Sequence, residues 1–325
     1  MNSRSRPLVI VNNVAARAKR AWPEIEAALT NNGIEWDVHF TTSAGDATAT
    51  TKQALRNGRD TIAVVGGDGT LSEVAAGFFD IADDPQQLPR AINKNATLAV
   101  LPAGTGDDFA RGLTGKREPL RLWLNALVDF CAGETVAGTR RVDVIYGQAT
   151  TDRALKGFIC LNAATVGLGA EVASHVAAQS PLIQRLPGEI RFMLAACFAL
   201  IEWKERHVRV TIDDEIVELK SNLLAVTNGV FAGGGMMFAP SARLDDASMD
   251  VLLSWALTRS AIVLELPRIR MGKHVENPNV RVSRATSVRI DTGDKHLLVE
   301  ADGNVRGYTP VEFRIMPAAL RIVAP

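Results

Sequence analysis

The stretch Ile62–Phe78, IAVVGGDGTLSEVAAGF, decides the fold because it sets an apolar strand pattern directly against a helical one. Only the five residues from Gly66 to Thr70 separate the two patterns. Three glycines let the backbone of such a turn approach a ligand closely, and the following helix offers unpaired N–H groups and the positive end of its dipole. The stretch therefore predicts a phosphate-binding turn between a β-strand and an α-helix.

Asp68 is the residue of this turn that a purely structural strand-to-helix turn would not need. An acidic side chain beside a bound phosphate is repelled by it unless the acid binds a cation or transfers a proton. Its presence between the glycines therefore favours Mg²⁺ and chemistry over passive binding.

Composition limits the classes of protein that fit. The chain has 325 residues, 47% of them hydrophobic, which suits one large or two medium domains with ample core. Thirty-six Lys and Arg balance 36 Asp and Glu, so the net charge gives no reason to expect nucleic acid as a partner. The three cysteines are too few and too far apart for a disulfide framework or a CxxC metal site. They indicate buried thiols in a reducing compartment, and we expect the cytoplasm.

No stretch of the sequence is long enough to be a transmembrane segment. The strongest apolar run, Phe192–Ile201, has ten residues, whereas a membrane-spanning helix needs about 20. Any membrane contact must therefore be peripheral. We expect this run to form a packed helix, with an interfacial helix as the alternative.

The first 110 residues alternate strand and helix patterns. Helical spacing relates Trp22, Ile25, Ala28 and Leu29, and a weaker helical pattern covers 46–57. Strand patterns occur at 8–11, 36–40, 61–65 and 97–101. Such a βαβα series predicts a doubly wound parallel sheet with helices on both faces.

After about residue 140 the pattern changes to many short, β-branched runs. The runs 207–212 and 215–220 are joined through Asp213 and Asp214, as in a β-hairpin, and a helical interval at about 181–205 interrupts the series. We therefore predict a chain of two domains, α/β plus all-β: an α/β domain and an antiparallel β-sandwich domain.

A second glycine-and-acid loop follows the strand pattern at 97–101. It runs from Gly104 to Asp108 and leads into a helix that begins near Phe109. The first two strand patterns end in Asn12-Asn13 and in the polar segment 41–46. Open α/β sheets bind ligands outside the carboxyl ends of their strands, so we expect all four loops to form one nucleotide site.

Familiar motifs for other sites are absent from the sequence. It has no GxxxxGK[ST] P-loop and no GxGxxG turn with a partner acid, which disfavours an ordinary NTPase or dehydrogenase. It also has neither HExxH nor GxSxG, and its five histidines are scattered.

In these loops and beyond, the chain resembles the diacylglycerol kinase catalytic-domain family, and within it the YegS-type bacterial lipid kinases. The resemblance covers nearly the whole chain, in order. It rests on GGDGTLSE (66–73), LPAGTGDDFAR (101–111), LNAATVGLGAEV (161–172), FAGGGMMFAPSARLDD (231–246), ENPNV (276–280) and MPAALRI (316–322).

The resemblance implies ATP- and Mg²⁺-dependent phosphorylation of a lipid hydroxyl, on diacylglycerol, phosphatidylglycerol or a sphingoid-like lipid. The nucleotide would bind to an α/β domain formed by residues 1–140, to which the C-terminal strand 309–325 returns. The lipid would bind to a β-rich domain formed by residues 141–308. The expected partner is a lipid substrate at the membrane surface, and no nucleic acid is expected to bind. The enzyme is expected to be cytoplasmic and peripherally associated with the membrane. A homodimer is also possible.

The resemblance also implies roles for individual residues, according to their positions in the matching motifs. The nucleotide contacts implied are Asn12, Thr41, Gly66, Gly67, Asp68, Gly69, Thr70, Leu71, Ser72 and Thr105. A structural Mg²⁺ would be held by the Asp246 side chain with backbone oxygens of Arg243 and Ser248. Asp68, Asp108 and Asp143 would form a polar network linking this ion to the active site.

The sequence departs from the family pattern at several of these positions. The first loop, Asn12–Ala16, lacks the usual proline and glycines, which weakens its assignment as a phosphate clamp. Asp107 stands where Asn is usual and adds a negative charge near the nucleotide, and Ala247 replaces a glycine of the metal loop.

The largest departure is at the acid motif near the C-terminus. The family's DGE, whose Glu is the proton acceptor, appears here as Asp302-Gly303-Asn304, and an Asn side chain cannot take a proton. We expect Asp302 to approach the lipid hydroxyl and Asp68 to hold a catalytic Mg²⁺, with either acid as the base. The alternatives are a weak or inactive member that only binds nucleotide or lipid, and a kinase of a soluble substrate such as NAD.

Overall fold

The four strand patterns of the first 110 residues form one parallel sheet, as predicted. The computed structural model describes residues 6–82, 84–133, 138–180, 183, 188–293 and 295–325. By its contacts the chain divides into a first unit, Met1–Val144 with Pro317–Pro325, and a second unit, Ile145–Met316. The elements of the first unit are β1 (Leu8–Val11), α1 (Ala16–Asn31), β2 (Asp37–Phe40), α2 (Asp46–Arg56), β3 (Thr61–Gly66), α3 (Asp68–Ala76), β4 (Phe79–Asp80), β5 (Arg90–Ala91), β6 (Thr97–Pro102), α4 (Asp108–Thr114) and α5 (Leu120–Ala132).

The parallel strands are hydrogen-bonded in the order β6-β3-β1-β2. Strand β3 is buried at all six of its positions, because helices cover a parallel sheet on both faces. Helix α1 buries Ala18, Ile25 and Leu29, which lie on the face that the helical spacing predicts. At the other edge of this sheet, Arg321–Val323 pair in parallel with Thr97–Ala99 of β6.

The second unit is mainly antiparallel. Strand β7 crosses the boundary between the two units, and the last strand, β18, ends in the first unit. The elements are β7 (Thr139–Thr150), β8 (Leu155–Cys160), β9 (Ala163–Gly167), α6 (Leu168–Ala177), α7 (Gly188–Glu202), β10 (Arg206–Ile212), β11 (Glu215–Thr227), β12 (Phe231–Ala232), β13 (Met236–Met237), β14 (Met249–Trp255), α8 (Arg259–Arg270), a 3₁₀ helix (Lys273–Glu276), β15 (Val280–Ala285), β16 (Ser287–Thr292), β17 (Leu298–Ala301) and β18 (Asn304–Val323).

Strand pairing in this unit confirms the predicted hairpin, in which Ile212 of β10 lies opposite Glu215 of β11. The order β15-β14-β11-β10-β16-β18 is antiparallel, and β9 pairs with both β11 and β17. Val166, Val226 and Val299 belong to one buried apolar cluster, and Ala163 and Ala225 belong to another. The predicted class, a doubly wound α/β domain with an antiparallel β-sandwich domain, is thus confirmed.

The predicted helical interval is occupied by α7, although 181–182 and 184–187 of that interval lie outside the described residues. Ala195 and Ala199 of α7 are buried against Leu168 and Val172 of α6. One face of the predicted helix is thus packed, whereas Met193, Phe198 and Ile201 of α7 are exposed to solvent. Among the described residues, no helix is both long and apolar enough to cross a membrane.

Candidate active site

The four predicted loops lie at the carboxyl edge of the parallel sheet. Each leads from a strand into a helix, and the helices begin at Ala16, Asp46, Asp68 and Asp108. Because the strands are parallel neighbours, their carboxyl ends meet at the same edge. Unpaired N–H groups at the starts of these helices make this edge suitable for phosphate groups.

The two glycine-and-acid loops touch each other through their backbones. A Cβ added to Gly104 would lie 2.5 Å from the Cα of Gly67, and one added to Gly67 would lie 3.1 Å from the Cα of Gly104. The contact therefore requires glycine at both positions, which accounts for the recurrence of glycine after β3 and β6.

The first loop is ordered by Asn12 in place of the missing proline and glycines. Asn12 Oδ1 accepts the backbone N–H groups of Val14 and Ala15 at 2.9 and 3.1 Å, and Asn12 Nδ2 donates to Thr70 Oγ1 at 2.7 Å. Thr41 Oγ1 accepts the N–H of Asn13 at 3.3 Å. The structure thus brings Asn12, Thr41 and Thr70 together at this edge.

The remaining predicted nucleotide residues differ in how they can act. Leu71 and Ser72 are buried in α3, and the N–H of Leu71 donates to the Gly67 carbonyl at 3.0 Å, so these two residues shape the loop from the helix. Gly69 and Thr105 are exposed.

Asp68 lies between the two loops and has a perturbed carboxyl group. Its Oδ1 accepts the N–H of Phe109 at 3.1 Å. Burial, followed by the charge of Asp108, raises the pKa of Asp68 to about 7, although backbone N–H groups of Asp108 and Phe109 oppose the shift. A carboxyl group with this pKa can accept a proton near neutral pH.

The same acids fit a divalent cation. A Cβ added to Gly106 would lie 3.1 Å from Asp68 Oδ2 and 3.4 Å from Asp108 Oδ2, so the two carboxylates border one small space. Oxygen donors of this kind suit Mg²⁺ shared with substrate phosphates. The described residues contain no ready-made group of three or more His, Cys, Asp or Glu around a metal position.

Asp107 does not add a free negative charge, because arginine neutralises it. Asp107 Oδ1 accepts the N–H of Gly104 at 2.7 Å, and Oδ2 lies 2.7 Å from Arg117 Nη2. Arg117 Nη2 also donates to the carbonyl of Gly104 at 3.0 Å, and Arg17 Nη1 donates to the same carbonyl at 2.7 Å. Sequence reasoning missed both arginines, since nothing but their charge near the loops distinguishes them.

In the second unit, Asp302 anchors a distant loop through its carboxylate. Oδ2 accepts the N–H of Leu161 at 2.7 Å, and Oδ1 accepts those of Asn162 and Ala163 at 2.9 and 3.2 Å. Asn304 Nδ2 donates to the Asp302 carbonyl at 3.2 Å. Three backbone donors occupy both oxygens of the Asp302 carboxylate, which suits an anchor better than a base.

Glu300 is an acid of this unit that sequence reasoning missed. It is 7% exposed, and its carboxylate accepts the Thr165 hydroxyl at 2.8 Å and the N–H of Gly303. Burial raises the pKa of Glu300 to about 7. A single Glu within the otherwise apolar run of 297–301 was the signal available in the sequence.

Glu300→Gln is expected to flatten the dependence of unfolding free energy on pH. Because the pKa is about 7 in the folded chain and 4.5 in the reference state, the stability that goes with protonated Glu300 is complete below pH 4.5 and is lost as the pH rises through 7. The shift corresponds to roughly 3 kcal/mol. Urea unfolding at several pH values tests this, and equal slopes for variant and wild type would contradict it.

The predicted structural metal loop is held by an arginine. Asp246 Oδ1 accepts the N–H of Ser248 at 3.2 Å, while Oδ2 contacts Arg284 Nη2 in an ion pair. The side chain of Arg243 points to Asp245, with Nε and Oδ1 3.5 Å apart. Since Arg284 already pairs with the Asp246 carboxylate, we expect this ion pair, rather than Mg²⁺, to stabilise the loop. Asp143 Oδ1 accepts the N–H of Ala318 and fixes the C-terminal segment within the first unit.

We therefore expect the thermal stability of the second unit to be independent of Mg²⁺. Exchanging EDTA for Mg²⁺ should leave its Tm unchanged in the wild type. Arg284→Gln should lower Tm by only about 1–4 °C, because partly exposed ion pairs contribute roughly 0.2–1 kcal/mol. Differential scanning calorimetry measures both, and a large rise in Tm on adding Mg²⁺ alone that persists in Asp68→Asn would restore a metal at Asp246.

Comparison with known proteins bears on both units. Residues 6–139 match the family model described as the diacylglycerol kinase catalytic domain. Residues 162–324 match the one described as the YegS C-terminal NAD kinase beta sandwich-like domain.

Individual proteins are similar over nearly the whole chain. A diacylglycerol kinase of Bacillus subtilis (strain 168) is 25% identical over 322 residues, covering 98% of this chain and 96% of the relative. A Pseudomonas aeruginosa (strain UCBPP-PA14) protein named "Probable lipid kinase YegS-like" is 31% identical over 300 residues, covering 92% and 88%.

A solved structure shows that the fold is shared. The crystal structure of a diacylglycerol kinase from Bacillus anthracis str. Sterne covers 99% of this chain and 97% of its own, with a TM-score of 0.69 and 21% identity. With two family models matched in order and a relative above 30% identity, the chain belongs to the diacylglycerol kinase catalytic-domain family, in its YegS-type group of lipid kinases.

Proposed function

We propose that this protein transfers the γ-phosphoryl group of ATP to a hydroxyl group of a membrane lipid, in a Mg²⁺-dependent reaction. The observation that carries the proposal is the backbone contact between Gly67 and Gly104, which joins two glycine-and-acid loops at the carboxyl edge of the parallel sheet. A passive phosphate site needs the glycines but not the acids Asp68 and Asp108.

In this proposal the first unit binds and orients the triphosphate. N–H groups at the start of α3, before Leu71, would donate to phosphate oxygens, and Asn12 would hold the loop through Thr70. Arg17 and Arg117 would add positive charge beside Gly104. Mg²⁺, when bound, neutralises charge on the phosphates, and Asp108 would hold it beside Asp68.

Asp68 is our preferred proton acceptor. Its carboxyl group has a pKa of about 7, so deprotonation costs little at neutral pH. Asp302 would instead act as a positioning residue, because it holds the loop 161–163 through three N–H groups. This assignment explains how a chain with Asn304 in place of the family's Glu can retain activity.

The acceptor is proposed from the family and its named relatives: diacylglycerol first, with phosphatidylglycerol and sphingoid-like alcohols as further candidates. The second candidate is a soluble acceptor such as NAD, because the family description of the second unit refers to NAD kinase. A panel of these acceptors, incubated with ATP and Mg²⁺ and analysed by mass spectrometry, separates the two. A phosphorylated lipid supports the proposal, and NADP as the sole product would replace it.

Asn304→Glu tests whether the chain is an enzyme or a binder of nucleotide and lipid. A carboxylate at this position would add a second proton acceptor, and we expect lipid phosphorylation to rise by up to about 10²-fold. Asn304→Gln is the matched control, because the Gln side chain has the same size as that of Glu but carries no charge. ATP binding without turnover in the wild type and in both variants would favour the binder.

A further inference from the structure

The loop 104–108 of the first unit is held by arginine side chains. Arg17 Nη1 and Arg117 Nη2 donate to the carbonyl of Gly104 at 2.7 and 3.0 Å. Arg111 Nη2 donates to another carbonyl of the same loop at 3.1 Å. The three side chains come from α1, from the segment after α4 and from α4 itself, so three parts of the chain meet at this loop.

Arg117 differs from Arg17 because it also pairs with the carboxylate of Asp107. That carboxylate is 4% exposed; its Oδ1 accepts the N–H of Gly104 at 2.7 Å, and its Oδ2 lies 2.7 Å from Arg117 Nη2. Arg117 Nη1 also donates to the carbonyl of Thr105 at 3.4 Å. The Arg117 side chain is 46% exposed, so the pair presents a guanidinium group rather than a carboxylate to solvent.

The backbone on either side of α4 brings these two side chains together. Asp107 precedes the helix and has a left-handed backbone with a φ of 51°, which Asp and Asn adopt more readily than most residues. Gly115 follows the helix with a φ of 78° and turns the chain back. Arg117 thereby meets an acid ten positions before it in the sequence.

The charge of Asp107 lies beside the backbone contact that carries the proposed function. A Cβ added to Gly104 would lie 2.6 Å from Asp107 Oδ1 and 2.5 Å from the Cα of Gly67, just before α3. A carboxylate without a partner at this place repels phosphate groups, because like charges interact strongly where water is partly excluded. Asp68 and Asp108 add two more acids to the same pair of loops, so the binding of an anion depends on the arginines.

We propose that Arg117 is a positioning residue of the nucleotide site, which neutralises Asp107 so that the loop 104–108 binds polyphosphate instead of repelling it. The inference rests on the proposed function, which places the triphosphate of ATP at this edge of the sheet. A purely structural role, in which Arg117 only ties the carbonyls of Gly104 and Thr105, differs in one respect. Its loss would not depend on the charge of the ligand or of Asp107.

A double-mutant cycle of Arg117→Gln and Asp107→Asn tests the proposal, with affinities for ATP, ADP and AMP measured by titration calorimetry at one Mg²⁺ concentration. We expect Arg117→Gln to lose at least about tenfold in affinity for ATP, less for ADP and least for AMP, because repulsion by Asp107 grows with the charge of the ligand. The double variant should return to within about threefold of the wild type for ATP, since Asn keeps an oxygen for the N–H of Gly104 and removes the charge.

Arg17→Gln is the matched control for this cycle. It also removes one positive charge and one donor to the Gly104 carbonyl, but Arg17 does not pair with Asp107. Adding Asp107→Asn should therefore change ATP affinity by the same factor in Arg17→Gln as in the wild type, and by a factor at least about threefold larger in Arg117→Gln. Equal factors in all three backgrounds would overturn the proposal.

Scanning calorimetry of each variant shows whether it is folded. If Arg117→Gln alone does not fold, the double variant decides: ATP affinity close to that of the wild type supports the proposal, and a loss that is equal for ATP, ADP and AMP overturns it. The cycle measures binding and does not need a lipid acceptor. A wild type that binds ATP but phosphorylates no lipid would therefore count against the proposed function alone, whereas a wild type that binds no ATP would overturn both.

Discussion

Asp68→Asn is expected to lower kcat for lipid phosphorylation by about 10³-fold or more, the largest effect on turnover that we predict. The substitution keeps the shape of the side chain and an oxygen for the N–H of Phe109, but removes the charge and the proton acceptor. General-base catalysis contributes about 10²–10⁴-fold, and loss of the negative charge beside Asp108 adds to that.

The pH profile checks the assignment of Asp68. Because burial and Asp108 raise its pKa to about 7, kcat/KM of the wild type should rise as the pH increases through 7 and then level off. The variant should lack that rise. Asp80→Asn is the control, since Asp80 lies in the first unit outside the four loops and its carboxylate is 2.7 Å from Arg56 Nη2. A control variant as inactive as Asp68→Asn would contradict the assignment.

Gly104→Ala should abolish nucleotide binding and destabilise the first unit. The new Cβ would lie 2.5 Å from the backbone of Gly67 and 2.6 Å from Asp107 Oδ1, so the two loops must separate. Overpacking of this kind costs about 1–3 kcal/mol, and displacing a ligand-binding loop by about 1 Å can cost 10²-fold in function. We expect Tm to fall by about 3–10 °C and ATP affinity to fall at least about 100-fold.

Gly69→Ala provides the stability control for that experiment. Gly69 lies in the same turn, but an added Cβ would meet nothing within 4 Å, so the variant should have the Tm of the wild type. Scanning calorimetry and titration with ATP measure both quantities. Wild-type ATP affinity in Gly104→Ala would show that the contact between the loops is not needed for the nucleotide.

Local sequence patterns were sufficient to predict the parallel sheet and its four loops. Strands β1, β3 and β6 begin where their apolar runs begin, and the glycine turns lead into helices as their composition predicts. Glycine, apolar periodicity and helix starts act over a few residues, so they can be read directly from the sequence.

The roles of several acids could not be predicted because their partners are remote in sequence. Asp302 binds the N–H of a residue 141 positions away, and Arg284 neutralises Asp246 from 38 positions away. The exposure of Phe198 could not be predicted either. The composition shows that α7 is apolar, but it does not show how much of the helix the core covers.

The most direct test of the central claim is transfer of label from γ-³²P-ATP to diacylglycerol in mixed micelles containing Mg²⁺, with wild type, Asp68→Asn and Asp80→Asn assayed in parallel. We predict a labelled lipid with the wild type and the Asp80 variant, and none above background with Asp68→Asn. Wild-type protein that binds ATP but labels none of the lipid acceptors, or equal labelling by all three proteins, would contradict the account.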